Sequence, residues 1–271
     1  MGFTVRFIKM QHYLRHLETV KELVQKAGAA IMKIYDNASN ITTLKKDDDS
    51  PLTIADCTAN ELICAGLERL DNPYPIISEE NKMIPYEERK GYSYCWLVDP
   101  LDGTKEFIKR NGEFTVNIAL IHNREVVMGL VYAPSLDELY WAAKGEGAFQ
   151  LKKKTRTRLE VATFSWKDQG LNVVCSRSHL NEATQNIVAD LDAPNLVPRG
   201  SSLKFLTLAK GEAHIYPRLA PTMEWDTAAA QVIVEEAGGF VYDCITKKPL
   251  KYNKKNLLNP HFIAVGKSIN Q

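Results

Sequence analysis

The pattern of apolar runs and chain breakers predicts a mixed protein, an α+β layer over residues 1–160 followed by an α/β layer over 161–271. Three observations carry that prediction. Two helical apolar stripes come before a series of closely spaced strand-like runs. After about residue 160, strand and helix signals alternate, which is the rhythm of βαβ units. Finally, the apolar run Tyr94 to Val98 ends abruptly in Asp99-Pro100-Leu101-Asp102-Gly103-Thr104, two carboxylates three positions apart with a glycine and a hydroxyl behind them.

Between His12 and Tyr35, Leu14, Leu17, Val20, Leu23, Val24, Ala27, Ile31 and Ile34 recur at helical spacing, so a long amphipathic helix buries this stripe. His12 and His16 fall on its solvated face. Residues 37–50 are polar and end in a charge run before Pro51, which reads as a solvated loop, with a flap over an active site as the alternative. Thr53 to Leu70 forms the second helix, and Thr53 and Asp56 stand at capping-box spacing. Pro75–Ser78 is a short strand ending in Glu79-Glu80, and Gly91–Val98 a second strand ending in Asp99. Phe114–His122 and Glu125–Ala133 pair as strands, Leu139–Ala143 extends the sheet, and Gly145-Glu146-Gly147 turns it. Lys152 to Arg158 is a basic hairpin without interleaved aromatics, unlike a nucleic-acid patch.

In the second half Leu171–Cys175, Asn195–Val197, Ala213–Tyr216, Phe240–Tyr242 and Phe262–Val265 read as strands. Glu182–Leu191, Ser202–Ala209 and Trp225–Ala237 read as helices, and Gly238-Gly239 stops the last of them. Asp226 therefore sits in a helical first turn, where a carboxylate offsets the helix dipole.

Composition excludes several classes. With 34 basic and 33 acidic residues the net charge is +1, so any anion binding must be local. Five widely spaced cysteines without a C-x-x-C indicate neither a zinc site nor a disulfide framework, and point to a reducing compartment. The apolar run at the N-terminus is too short and interrupted for a signal peptide. No stretch reaches the roughly 20 apolar residues that span a bilayer.

Two aspartates beside an exposed carbonyl make a hard-oxygen site suited to Mg²⁺ rather than Zn²⁺. The amides of Gly103 and Thr104 follow at once, placed as backbone groups that take a phosphate oxygen. Metal beside phosphate suggests phosphate-ester chemistry; the alternative is that Asp-Pro and Asp-Gly are simple turn formers.

The ordered set Glu79-Glu80, Asp99-Pro100-Leu101-Asp102-Gly103-Thr104 and Trp225-Asp226 resembles the inositol monophosphatase superfamily of Mg²⁺-dependent, lithium-sensitive phosphatases, over Lys46 to Pro260. Lys105-Glu106-Phe107, where inositol monophosphatases carry x-Asn-Phe, is similar to the 3'(2'),5'-bisphosphate nucleotidase branch. Asp49 to Asp56, Gly200-Ser201-Ser202-Leu203-Lys204-Phe205 and Tyr216-Pro217-Arg218 add to that likeness.

The resemblance implies a layered αβαβα sandwich of the inositol monophosphatase and fructose-1,6-bisphosphatase type. It implies two or three Mg²⁺ ions held by Glu79, Asp99, the Leu101 carbonyl, Asp102 and Asp226. Asp56 and Thr104 would orient and deprotonate water, while Gly103 and Thr104 receive the scissile phosphate. Ser201, Lys204 and Arg218 would grip a second phosphate, with His179 against the base. The implied reaction converts adenosine 3',5'-bisphosphate to AMP and phosphate, a step linked to sulfate assimilation. Action on inositol monophosphate or fructose 1,6-bisphosphate is the alternative, and a catalytically silent nucleotide-binding protein a remote one. The implied partner is this small nucleotide alone: no nucleic acid and no stable membrane insertion, in a cytoplasmic monomer rather than a homodimer, with the inner membrane face as a peripheral address.

Overall fold

In the computed structural model, residues 14–37, 43–45, 51–176 and 181–269 are described. Helix α1 (Leu17–Asn37) buries Val20, Leu23, Val24, Ala27 and Ile31, the predicted stripe. A short antiparallel pair, β1 (Thr43–Lys45) and β2 (Pro51–Thr53), leads into α2 (Ile54–Glu68), which buries Ala55, Ala59, Ile63 and Leu67. The rest of the predicted 37–50 loop, residues 38–42 and 46–50, lies outside the described residues.

Both helices cover one face of a seven-stranded sheet ordered β3-β4-β5-β6-β7-β8-β9. Its strands are β3 (Ile76–Ser78), β4 (Tyr94–Asp102), β5 (Thr115–His122), β6 (Glu125–Ala133), β7 (Glu138–Ala143), β8 (Gly147–Lys152) and β9 (Thr155–Arg158). β3 and β4 run parallel and the rest antiparallel. Two short helices interrupt the order, α3 (Tyr86–Arg89) and α4 (Thr104–Ile108). The basic segment forms the predicted hairpin, turning at Lys153 and Lys154.

A five-stranded sheet follows, ordered β12-β11-β13-β15-β14: β11 (Asn172–Ser176), β12 (Asn195–Arg199), β13 (Ile215–Arg218), β14 (Phe240–Asp243) and β15 (Phe262–Val265). Strands β11, β12 and β13 are parallel, as alternating strands and helices require. Beside it, β10 (Thr163–Phe164) pairs with β16 (Lys267–Ser268). Helix α5 (Glu182–Ala189) sets Ile187 and Val188 on the outer face, over Val173, Ile215 and Ile263.

Helices α6 (Leu203–Ala209) and α7 (Glu224–Glu236) lie between the two sheets, with nearly every side chain of α7 buried. α7 runs so close to β6 that a Cβ on Gly129 would lie 2.3 Å from the Ala229 carbonyl oxygen, so only glycine fits there. The order of layers is helix, sheet, helix, sheet, helix: the expected αβαβα sandwich.

Two expectations need correction. The strand does not end at Val98: β4 continues through the aspartates to Asp102. And His16 is not solvated. It is 3% exposed, with its ring edge-on to Tyr74 at 6.0 Å and Arg15 Nε donating to its Nε2 at 3.1 Å. The chain after α2 brings Tyr74 over a face that the polar pattern had left to water.

Candidate metal and phosphate site

The continuation of β4 decides where the aspartates point. Asp99 pairs with Asn117 and Asp102 with Thr115, so three steps on β4 match two on β5. Side chains alternate along a strand, and residues three apart would normally face opposite ways. The extra residue of this bulge cancels one alternation, and both carboxylates face the same cleft. On the other side of β4, Ser78 pairs with Val98, and the Glu79 N–H donates to the Val98 carbonyl at 3.1 Å. Glu79 is thereby set beside Asp99. From the middle layer, α7 brings Asp226 in its first turn, where its Oδ2 accepts the Met223 N–H at 2.8 Å.

Carboxylate oxygens of Glu79, Asp99 and Asp226 all lie within 4.8 Å of one another. Burial first, and then Glu79, Asp102, Asp226 and Asp56, push the Asp99 carboxyl well above the usual range. Burial, Asp102 and Glu79 do the same to Asp226. Like charges crowded in a dry site resist ionisation unless a cation compensates them. Leu101 lines the same cleft, and an all-oxygen donor set of carboxylates plus a main-chain carbonyl fits a hard divalent ion.

Asp56 is 1% exposed at the start of α2. Its Oδ2 accepts the Thr53 N–H at 2.8 Å and the Thr53 hydroxyl, closing the capping box. Its Oδ1 accepts the Thr104 hydroxyl at 3.1 Å. The two readings of Asp56, cap and partner of Thr104, hold together, one oxygen for each. Gly103 caps α4 with φ +94°, a left-handed turn where a Cβ would lie 3.0 Å from the Glu113 carbonyl oxygen. The first amides of α4, which have no partner inside the helix, start beside the carboxylates.

Ser201, Lys204 and Arg218 line the same cleft of about 650 Å³. Ser201 sits at φ +42° in the turn before α6, and Arg218 ends β13 with Nη2 donating to the Pro221 carbonyl at 2.9 Å. The Ser201 hydroxyl and the Arg218 Nε are buried polar atoms with no hydrogen-bond partner among the described residues. Burial pulls the Lys204 ammonium down to about 8; Asp102 works against that shift and Arg218 adds to it. Of the predicted site residues, His179 lies outside the described residues; the others meet in or against this one cleft.

Several residues here went unpredicted. Lys105, Lys109 and Arg199 add positive charge to the wall, and Lys105 and Lys109 stand one helical turn apart, a spacing the sequence did display. Glu113 Oε2 accepts the Gly200 N–H at 2.8 Å. Ser202, next to the predicted Ser201, touches two of the acidic positions.

The family model of the inositol monophosphatase family matches residues 14–269. The chain is 44% identical over 247 residues to the 3'(2'),5'-bisphosphate nucleotidase CysQ of Salmonella typhimurium, covering 91% of this chain and 98% of that protein. It is 42% identical, with the same coverage, to the protein of that name from Escherichia coli K12. The crystal structure of CysQ from Bacteroides thetaiotaomicron, described as a bacterial member of the same family, superposes with a TM-score of 0.83 at 42% identity, covering 95% of this chain and 99% of that one. An inositol monophosphatase of Thermotoga maritima shares the fold, with a TM-score of 0.76 at 24% identity over 93% of this chain and 92% of that one. A chain matched from its first described helix to its last strand, with its acidic residues gathered at one cleft, belongs to the inositol monophosphatase family.

Proposed function

We propose that this protein hydrolyses the 3'-phosphate of adenosine 3',5'-bisphosphate to AMP and phosphate, with Mg²⁺ as its metal. One observation carries the choice of substrate. The cleft with the carboxylates also holds a cationic clamp, Lys204 and Arg218 with Ser201, in which the Ser201 hydroxyl and the Arg218 Nε have no partner among the described residues. A substrate with a second phosphate would satisfy both atoms, and Arg and Lys suit a phosphate's planar and point-charge recognition. The names of the relatives support the same reading.

Glu79, Asp99, the Leu101 carbonyl, Asp102 and Asp226 would hold the ions. Two or three Mg²⁺, when bound, would lower the pKa of water and neutralise the charge of the transferring phosphoryl group. The protein's own part is alignment. The Thr104 hydroxyl donates a hydrogen bond to Asp56, so its lone pair is free to accept one from the attacking water; as that water loses a proton to Thr104, the Thr104 proton moves on to Asp56. Asp56 is the sink for that proton and is held by the Thr53 bonds while it waits. Water oxygen bonds to phosphorus as the phosphorus–O3' bond breaks, and the leaving oxygen takes a proton from solvent. The first amides of α4 face the charge that collects on the phosphoryl oxygens.

The test is phosphate release from adenosine 3',5'-bisphosphate, inositol 1-phosphate and fructose 1,6-bisphosphate, each with Mg²⁺ and with or without Li⁺. A nucleotide preference suppressed by Li⁺ supports the proposal. Preference for a sugar phosphate keeps the metal site and overturns the assignment of Ser201, Lys204 and Arg218.

A further inference from the structure

Ser202 is fully buried at the start of α6, and its hydroxyl sits between three groups from three elements. It lies 2.9 Å from Asp102 Oδ2 on β4 and 3.1 Å from the Asp226 main-chain oxygen on α7. It accepts a hydrogen bond from Asn117 Nδ2 on β5 at 3.0 Å. The hydroxyl has one proton, and the Asp102 carboxylate oxygen is the nearer of its two acceptors. Asp102 itself lines the cleft. Asn117 and Thr115 each approach the same Oδ2 only at 3.5 Å, so Ser202 is its closest side-chain donor among the described residues.

The residue before Ser202 is Ser201, whose hydroxyl has no partner among the described residues and belongs to the anion clamp, and Lys204 follows two positions later. Ser201 is held at φ +42°, a conformation that a non-glycine residue adopts only when its surroundings fix it. The preceding Gly200 is pinned by Glu113. One rigid turn therefore presents a hydroxyl to the clamp with one residue and a hydroxyl to a metal-facing carboxylate with the next.

We propose that Ser202 is a positioning residue that fixes Asp102 for the metal and couples the metal carboxylates to the anion clamp, so that each site binds more tightly when the other is filled. The inference rests on the reading of Glu79, Asp99, Asp102 and Asp226 as metal ligands and of Ser201, Lys204 and Arg218 as the clamp. Partners behind a ligand typically change metal affinity by roughly 10- to 100-fold. Coupling between two sites is reciprocal, so it can be read from the metal alone.

The experiment is Mn²⁺ binding to the full chain, followed by electron paramagnetic resonance, with and without AMP, which carries the phosphate that the clamp would hold. The wild type, Ser202→Ala, Ser202→Thr and Asp102→Asn are compared, with a thermal melt of each to confirm folding. In the wild type AMP tightens Mn²⁺ several-fold. In Ser202→Ala, Mn²⁺ binding weakens by about tenfold or more and the AMP effect disappears, while Ser202→Thr restores both by keeping the hydroxyl. Wild-type Mn²⁺ affinity in Ser202→Ala overturns the inference, as does an AMP effect that survives there in full. Asp102→Asn separates the two levels. If it weakens Mn²⁺ while Ser202→Ala does not, the metal site stands and the coupling falls. If Asp102→Asn leaves Mn²⁺ binding untouched, the metal assignment itself fails.

Discussion

Replacing Lys204 probes the clamp most directly, because its charge and its pH dependence make two separate predictions. Lys204 faces the cleft with its ammonium pulled down to about 8, chiefly by burial. It is then about nine-tenths ionised at pH 7 and about one-tenth at pH 9. A hydrogen bond to a charged partner is worth about 1.5–3 kcal/mol, and each 1.4 kcal/mol is about tenfold. Lys204→Met should thus lower kcat/KM for adenosine 3',5'-bisphosphate roughly 10- to 150-fold at pH 7. Adenosine 3'-monophosphate, which has no second phosphate, should change little. In the wild type kcat/KM for the bisphosphate falls with unit slope above about pH 8. Lys204→Arg keeps its charge at high pH and removes that limb, and Lys204→Met gives a low, flat profile there. An equal loss on both nucleotides, or an unchanged limb in Lys204→Met, refutes the clamp.

The same lysine has a stability signature. Its folded value lies below the ordinary 10.5, so between about 8 and 10.5 the folded chain binds fewer protons than the unfolded one. Stability from this group therefore rises with pH across that window, and the cost of burying the ammonium is felt in full below it. The difference of about 2.5 units sets a ceiling of roughly 3 kcal/mol. Ligand-free Lys204→Met should melt higher than wild type at pH 7, with the gap closing by pH 10.5.

Three further outcomes follow from the geometry. Asp99→Asn should abolish phosphate release yet flatten the metal-free melting curve against pH. The raised Asp99 carboxyl makes the wild type lose stability as pH rises from about 3.8 towards its folded value, and saturating Mg²⁺ should cancel the variant's advantage. Thr104→Ala should reduce kcat by about 10²- to 10⁴-fold with little effect on KM, while Thr104→Ser retains most of the rate; equal damage by both would remove the hydroxyl from the proton path. Glu224 is fully buried and accepts from the Asn253 and Lys254 amides and the Lys254 ammonium, so Glu224→Gln leaves that ammonium without its counter-charge. Its melt should reveal a loss of about 3–5 kcal/mol, and a loss below about 1 kcal/mol, the scale of an exposed pair, would show that the pair is solvated.

The candidate metal carboxylates stood out in the sequence because each lies at an end of a core element, Glu79, Asp99 and Asp102 after apolar strands and Asp226 in the first turn of a helix. The Pro100 to Gly103 turn suggested that Asp99 and Asp102 point at one spot, but the bulge that achieves it was not legible. Asp99 and Asp102 share a face only because β5 supplies two residues against three, and a bulge is a property of the pair of strands rather than of either one. Ser202 reads in sequence as an ordinary residue at a helix start; its partners lie 85 and 100 positions before it and 24 after it. His16 failed for the same reason, since the ring that buries it is Tyr74. Asp56 had a local reading as a cap and, from the family resemblance, a pairing with Thr104; its two oxygens make both sets of hydrogen bonds. Periodicity and capping are local signals, and they found what was local.

The position of α7 explains why the site sits where it does. This helix is packed between the two sheets and carries Asp226 in its first turn, whereas Asp99 and Asp102 stand on the seven-stranded sheet and Glu79 directly follows its strand β3. Without a cation, repulsion between Asp226 and the other carboxylates works against that packing, and the N-terminal turn of α7 is where strain can be relieved. A metal that binds only the folded chain adds about 2.7 kcal/mol at a concentration 100 times its Kd, and here it would also cancel the repulsion. Hydrogen exchange should then slow on Mg²⁺ addition at the start of α7 more than at its end, where Glu236 Oε1 and Oε2 accept the Gly145 and Gly147 amides. Uniform protection along α7 would show that the helix is held by its packing alone.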